Sequence, residues 1–159
     1  MFRHDLDSPV GRLILLADDT GLAAVLYSGH RGDALTGDAR IDPAPFADVV
    51  AQLEEYFAGD RREFTVPIAP RGSAFQLAAW SELRRIPYGE TRSYGAVAAA
   101  VGAPGAARAV GHANNRNPIS IIVPCHRVIG STGSLIGYGG GLAAKQFLLA
   151  LESRDRALF

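Results

Sequence analysis

The chain has 159 residues, 48% of them hydrophobic, which is room for one ordinary domain or two small ones and enough apolar content for a core. No apolar run reaches the roughly 20 residues of a membrane span, and Met1-Phe2-Arg3-His4-Asp5 has no signal-peptide h-region. One cysteine rules out an internal disulfide and a Cys-rich zinc site, and with no secretion signal it fits the reducing cytoplasm. The sixteen basic and sixteen acidic residues cancel, yet they are segregated. Residues 1–70 hold six arginines against twelve acids, net −6, and residues 71–159 hold ten basic residues against four acids, net +6. The asymmetry points to a basic half that faces a polyanion; the plainer alternative is two halves that attract each other. His4, His30 and His112 have no metal-ligand spacing and read as ordinary surface or loop residues.

The N-terminal half opens with strand signals. Val10–Ala17 and Gly21–Tyr27 flank Asp18-Asp19-Thr20, a hairpin turn, and residues 28–43 are a polar, glycine-rich loop. From Pro45 the period changes: Phe46, Val49, Val50, Leu53, Tyr56 and Phe57 lie on one helix face, and Gly59 ends that helix. Phe64-Thr65-Val66 reads as another strand and Pro67–Gly72 as a linker. Nothing in this half carries an obvious chemical group.

Beyond the linker, Ser73 caps a helix bearing Phe75, Trp80, Leu83 and Ile86, which Pro87-Tyr88-Gly89 stops. A short helix over 95–101, a Gly102-Ala103-Pro104 turn and a second helix over about 105–114 fit a helix-turn-helix. The expected fold class is therefore α+β: a small N-terminal α/β domain with antiparallel strands over 1–70, then a mostly helical C-terminal domain over 71–159. The second helix is built of Gly105, Ala106, Ala107, Arg108, Ala109, Val110, Gly111, His112, Ala113 and Asn114. A helix with side chains is about 10–12 Å wide, and the DNA minor groove is about 6 Å wide. Alanines and glycines let such a helix enter a widened minor groove, with Arg108 long enough to reach the base stack and His112 one turn further on the same face. The plainer reading has the small residues packing against the first helix, and one face for each purpose reconciles the two.

The only cysteine follows an apolar, strand-like segment: Asn117-Pro118-Ile119-Ser120-Ile121-Ile122-Val123-Pro124-Cys125-His126-Arg127-Val128-Ile129. A thiol is a strong nucleophile as its thiolate, which a neighbouring imidazole favours. A lone cysteine is otherwise a small buried hydrophobe, and it is the surrounding run that argues for chemistry. The glycine-rich loop over 130–141 lacks the Lys-Ser/Thr of a P-loop and suits close backbone approach to a flat ligand, walled by Tyr138. A last helix with Leu142, Phe147, Leu148 and Leu151 ends near Glu152, an acid disfavoured by the helix dipole and therefore a candidate to orient His126.

Pro124-Cys125-His126-Arg127-Val128, Ile86-Pro87-Tyr88-Gly89-Glu90-Thr91 with Ser93-Tyr94, Ala106–Gly111 and Asn117-Pro118, in this order and spacing, resemble the O6-alkylguanine-DNA alkyltransferases, or methylated-DNA–protein-cysteine methyltransferases. The resemblance covers about residues 71–152; residues 1–70 match only in general character, as that family's variable N-terminal structural domain. It implies a DNA-repair protein that moves the alkyl group of O6-alkylguanine onto its own Cys125 in one irreversible turnover, after nucleotide flipping, with O4-alkylthymine as a further candidate substrate. It implies that Cys125 accepts the alkyl group, that His126 is the base acting through a water, that Glu152 holds the imidazole, and that Tyr94 donates to the leaving guanine. Arg108 fills the place of the flipped nucleotide, Ala106, Ala107, Ala109 and Gly111 line the DNA-facing helix, and Asn117 ties the helix-turn-helix to the active-site segment. Tyr138, Val128, Gly139 and Ser120 form the substrate pocket; the family often has a serine at the Gly139 position and, in some members, a proline at the Ser120 position.

The implied partner is double-stranded DNA containing O6-alkylguanine, bound through the minor groove by a monomer, with cooperative assembly on DNA left open. No cofactor, metal or membrane enters. Two other classes remain as alternatives. A non-catalytic lesion-binding module would keep the helix-turn-helix and arginine but dispense with Cys125 and Glu152. A cysteine hydrolase or acyltransferase would use Cys125, His126 and Glu152 but leave the Ala-Gly helix and Arg108 without purpose.

Overall fold

The computed structural model describes residues 1–29, 37–131, 133, 138 and 140–157, without the side chains of 154–157. Gly139, His30 and half of the glycine-rich loop over 130–141 lie outside the described residues. The chain divides into two compact units between Pro70 and Arg71.

In the first unit, β1 (Phe2–Ser8), β2 (Gly11–Asp18) and β3 (Gly21–Tyr27) form an antiparallel meander, and β4 (Arg40–Ile41) adds to β1 in parallel, giving the order β3-β2-β1-β4. The sequence predicts no strand before Val10. β1 escapes it because Arg3, Asp5 and Asp7 occupy one face, so the strand carries little apolar signal and is held by its ladder with β2. β2 and β3 read clearly because both faces are buried, Leu13 through Ala17 without interruption. Ile14, Leu16, Ala24 and Leu26 form a cluster on one face against Ala39. On the other, His4 pairs with Leu15 and stacks on Phe46 at 6.0 Å between ring centroids. A bulge at Ala23, where Leu16 pairs with Ala24 and Ala17 with Leu22, puts Leu22 and Ala24 on opposite faces of the sheet, and both are buried there.

A 3-10 turn at Ala44–Phe46 runs into α1 (Ala47–Phe57), whose buried stripe is Val49, Gln52, Leu53 and Tyr56. The buried Gln52 explains a departure from expectation. Phe64-Thr65-Val66 is not a strand, because the Gln52 amide takes the pairing: its Oε1 accepts the Thr65 N–H at 3.0 Å and its Nε2 donates to Thr65 Oγ1 at 2.9 Å. The sheet contact comes later, within the expected linker. The Leu22 N–H donates to Pro67 O at 3.0 Å, and the Ala69 N–H to Leu22 O at 2.9 Å. Gly21 permits this approach: its φ is +139°, and a Cβ there would stand 2.9 Å from Pro67 O.

The second unit begins with α2 (Ala74–Leu83), opened by a capping box in which Ser73 Oγ accepts the Gln76 N–H and Gln76 Oε1 accepts the Ser73 N–H. This helix stops three residues short of Ile86, which is buried in the following turn with its N–H on Leu83 O at 3.1 Å. α3 (Tyr94–Ala100) is capped by Ser93, and α4 (Ala107–Asn115) follows a turn with Gly102 and Gly105 at positive φ. The Trp80 indole N–H donates to Ala113 O at 2.8 Å, fastening the end of α4 to α2. β5 (Arg92–Ser93) and β6 (Val128–Ile129) pair in parallel, which sets the start of α3 beside the segment that carries Cys125. α5 (Leu142–Ala157) runs past Glu152, so that acid sits inside the helix and the helix-end dipole argument does not apply to it. Leu142 and Phe147 are exposed; Ala144, Lys145, Leu148, Leu151 and Glu152 form the buried stripe. Among the described residues no helix is long and apolar enough to cross a membrane.

Candidate active site

The sequence predicts an apolar strand leading to Cys125, but residues 117–124 instead form a coiled loop in which Ser120 bridges to Val123. Two prolines remove ladder donors, and Asn117 supplies replacements. Its Oδ1 accepts the Ile119 N–H at 3.0 Å and its Nδ2 donates to Val123 O at 2.9 Å. Within that clamp the Ile122 N–H donates to Ser120 O at 2.9 Å around Ile121, whose φ is +73°. A β-branched residue in the left-handed region costs on the order of 1–3 kcal/mol and persists only where its surroundings over-determine it. Here the burial of Ile119, Ile121, Ile122 and Val123 and the two Asn117 bonds do so.

The loop delivers Cys125 to the start of a 3-10 turn, Cys125–Arg127, with the thiol residue 3% exposed. The Asn114 amide, from α4, donates to Cys125 O at 3.1 Å, so the helix that carries Arg108 is also bonded to the backbone of Cys125. Burial holds the thiol above its ordinary value; hydrogen bonding from Asn117 and Tyr138, the charge of Lys145 and hydrogen bonding from Ser120 pull it back only in part. Tyr94, partly buried at the start of α3, is itself pushed up by burial and by the charge on Cys125, so its hydroxyl keeps its proton and remains a donor. Gly111 of α4 faces this ring, with an ideal Cβ position 3.8 Å from Tyr94 Cδ1.

His126 is fully buried, and its Nε2 lies 2.7 Å from Glu152 Oε2. Glu152 also takes Arg127 in a fork, Nε to Oε1 at 2.8 Å and Nη2 to Oε2 at 3.0 Å. Burial pushes the Glu152 carboxyl up, and the bonds and charges of His126 and Arg127 more than reverse this, holding it well below the usual carboxylate range. An ionised carboxylate only accepts, so Nε2 carries the proton and, in the neutral ring, Nδ1 is the basic nitrogen. Nδ1 is buried and has no hydrogen-bond partner among the described residues. Burial pushes the imidazole down, Glu152 pulls it up, and the charges of Arg127 and Lys145 push it down again; the ring ends below its ordinary value and rests neutral near pH 7.

Lys145 was not legible as a site residue. It is fully buried on α5 and donates to Val128 O at 2.6 Å. Burial pushes its ammonium down and the Cys125 charge pulls it up. Its spacing to Leu148 and Glu152, three and seven residues on, places it on the buried stripe, and a lysine there is the signal that could have found it. Arg127 and Asn114 were likewise without an assigned role.

The structure thus brings Cys125, Tyr94, Asn117, Ser120, Tyr138 and Lys145 to one place, with His126 and Glu152 adjoining in the same turn and on α5. Val128 lies buried in β6. Arg108, Ala109 and His112 are on the exposed side of α4, Ala106, Ala107 and Gly111 are partly exposed, and Val110, Ala113 and Asn114 face inward. A groove of about 510 Å³ lined by Glu82, Arg85, Ile86, Arg92, Ala96, Val97 and Ala100 holds none of the predicted site residues. Chemically, the site offers a buried sulfur with donors and a cation that favour its thiolate, a neutral base, and a phenol able to protonate or polarise a leaving group.

The description "6-O-methylguanine DNA methyltransferase, DNA binding domain" matches residues 74–154, and "6-O-methylguanine DNA methyltransferase, ribonuclease-like domain" matches residues 1–70. A methylated-DNA–protein-cysteine methyltransferase of Mycobacterium leprae is 54% identical over 156 residues, covering 96% of this chain and 92% of the relative. One from Methanosarcina acetivorans is 48% identical, covering 96% and 98%. The crystal structure of Mycobacterium tuberculosis OGT in complex with DNA superposes with a TM-score of 0.92 at 48% identity, covering 97% of this chain and 94% of that one. The matches span both units, so the chain belongs to the 6-O-methylguanine DNA methyltransferase family.

Proposed function

We propose that this chain binds double-stranded DNA and transfers the alkyl group of O6-alkylguanine to Cys125 in a single irreversible turnover. The observation that carries this reading is the buried Cys125 thiol, ringed by groups that favour its thiolate and adjoining a neutral, Glu152-anchored His126. The Cys125 proton passes to His126 Nδ1, directly or through a water. Sγ attacks the alkyl carbon; the C–S bond forms as the C–O6 bond breaks, and its electron pair passes to guanine. Tyr94 donates to the departing base, stabilising it more in the transition state than before, and the proton held on His126 balances the charge released. The product is a thioether that water does not readily hydrolyse, and the reading supplies no second nucleophile to free the thiol.

An alkyl group on O6 inside the duplex is out of reach of a buried sulfur, so the nucleotide is flipped, at a cost of a few kcal/mol. The exposed, small-residue side of α4 enters the minor groove, and Arg108 takes the vacated place in the stack. Tyr138, Ser120 and the backbone of Val128 and Gly139 form the pocket for the flipped base. Val128 O already accepts from Lys145, and its second lone pair serves the guanine edge. Residues 71–159 are then the DNA-binding and acceptor domain, residues 1–70 its structural companion, and the protein acts as a monomer. O4-alkylthymine is the second substrate to test.

Intact mass and peptide mapping after mixing with a duplex containing one O6-methylguanine tests the reading. One methyl gained on the Cys125 peptide, stoichiometric and without turnover, is expected. Tight lesion binding without transfer would instead make the protein a lesion-binding module.

A further inference from the structure

Glu152 is shared. Its carboxylate accepts from His126 and from both arms of the Arg127 fork, and the Gly89 N–H approaches Oε1 at 3.4 Å. Arg127 is itself fixed: Nη1 donates to Ile86 O at 2.8 Å, and the guanidinium lies 5.7 Å from the centre of the Tyr88 ring. A buried carboxylate that faces an imidazole without a compensating cation draws a proton onto the ring. A ring already protonated cannot take the proton of a thiol. Here the carboxylate charge is cancelled, so that protonating His126 adds net positive charge to a buried site that also holds Lys145.

We propose that Arg127 is a positioning residue for the reaction: its fork orients Glu152 and offsets its charge, so that His126 rests neutral with Nδ1 open to receive the Cys125 proton. This rests on the alkyl-acceptor reading of Cys125. The charged groups acting on His126 are Glu152 and Lys145 from α5 and Arg127 from its own turn, and Arg127 and Lys145 both oppose the imidazolium. The arrangement differs from a simple Cys-His-Glu relay, in which the carboxylate raises the basicity of the ring without restraint.

The test compares Arg127→Gln and Arg127→Lys with the parent protein. The first readout needs no DNA: an NMR titration of the His126 ring, assigned by its loss in His126→Asn. Arg127→Gln is expected to raise the midpoint by about one unit, and Arg127→Lys, which keeps the charge and loses the fork, to stay near the parent. The second readout is the rate of methyl transfer from an O6-methylguanine duplex against pH. Its acid limb moves up with the midpoint in Arg127→Gln and returns in Arg127→Lys, even if the plateau there is lower. A uniformly lowered plateau with an unmoved limb, or a His126 midpoint that falls or stays in Arg127→Gln, overturns the proposal. Should Arg127→Gln fail to fold, Arg127→Met, which keeps the apolar stem and removes the charge, is read by the same titration: the midpoint rises, and a midpoint that falls or stays overturns the proposal. A parent protein that transfers no methyl, while His126 still titrates higher in Arg127→Gln, refutes the acceptor reading and leaves the electrostatic role of Arg127 standing.

Discussion

Asn117→Ala tests whether the loop that delivers Cys125 is held by one side chain. Asn117 is 5% exposed, and its amide satisfies two buried backbone groups, the Ile119 N–H and Val123 O. Alanine leaves the Ile119 N–H without its acceptor, which costs about 1–3 kcal/mol. Val123 O keeps the Cys125 N–H at 2.7 Å, so its loss is limited to one bond of about 0.5–1.5 kcal/mol. Relaxation of the strained turn at Ile121 returns part of this, so a net loss of about 2–3 kcal/mol is expected, a large share of a typical 5–15 kcal/mol. Urea unfolding of the DNA-free protein measures it as a lowered midpoint at unchanged slope. Asn117 also favours the thiolate, so the variant should react more slowly with iodoacetamide at fixed pH. A stability change under about 0.5 kcal/mol, the range of an ordinary surface substitution, would show that apolar burial holds the loop and refute the clamp.

Lys145→Met keeps the length and apolar stem but removes the cation beside Cys125; iodoacetamide alkylation near neutral pH should slow about tenfold or more, and an unchanged rate would remove the lysine from the thiol's electrostatics. Acid should destabilise the fold in two stages. His126 and Glu152 both have folded values below their unfolded ones, so each contributes stability that is present above the unfolded value and lost as pH falls toward the folded one, from about 6.5 for the histidine and about 4.3 for the glutamate. Glu152→Gln should flatten the lower stage of stability against pH, and a curve parallel to the parent below pH ~4 would contradict the assigned shift. Arg108→Ala should slow repair of a fully paired lesion more than of a lesion opposite a gap, and equal losses on both would count against a stack-filling role.

What could be read from the sequence was what depends on near neighbours. The Ser73 cap, the pair of short helices around Gly102, and the buried runs of β2 and β3 each rest on contacts or periodicities within about ten residues. The motif around Cys125 was equally legible, because residue type and spacing alone mark a thiol beside an imidazole. Distant partners overruled the rest. The Gln52 amide, thirteen residues away, takes the bonds that would have made Thr65 part of a strand. Asn117 bends an apolar run that by composition should extend. β1 carries too few apolar residues to be seen without the strand it pairs with.

The residue types on the chain therefore determined the chemistry on offer: a nucleophile, a base, an anchoring acid, a phenol and an arginine on a helix of small side chains. Only the tertiary structure decided how they are charged. Lys145 looks like any helix lysine until burial seats it on Val128 O near the sulfur, and Arg127 looks like one motif letter until its fork closes on Glu152. Charge interactions become strong only where water is excluded, and which side chains lose their water is a property of packing that spacing along the chain does not encode.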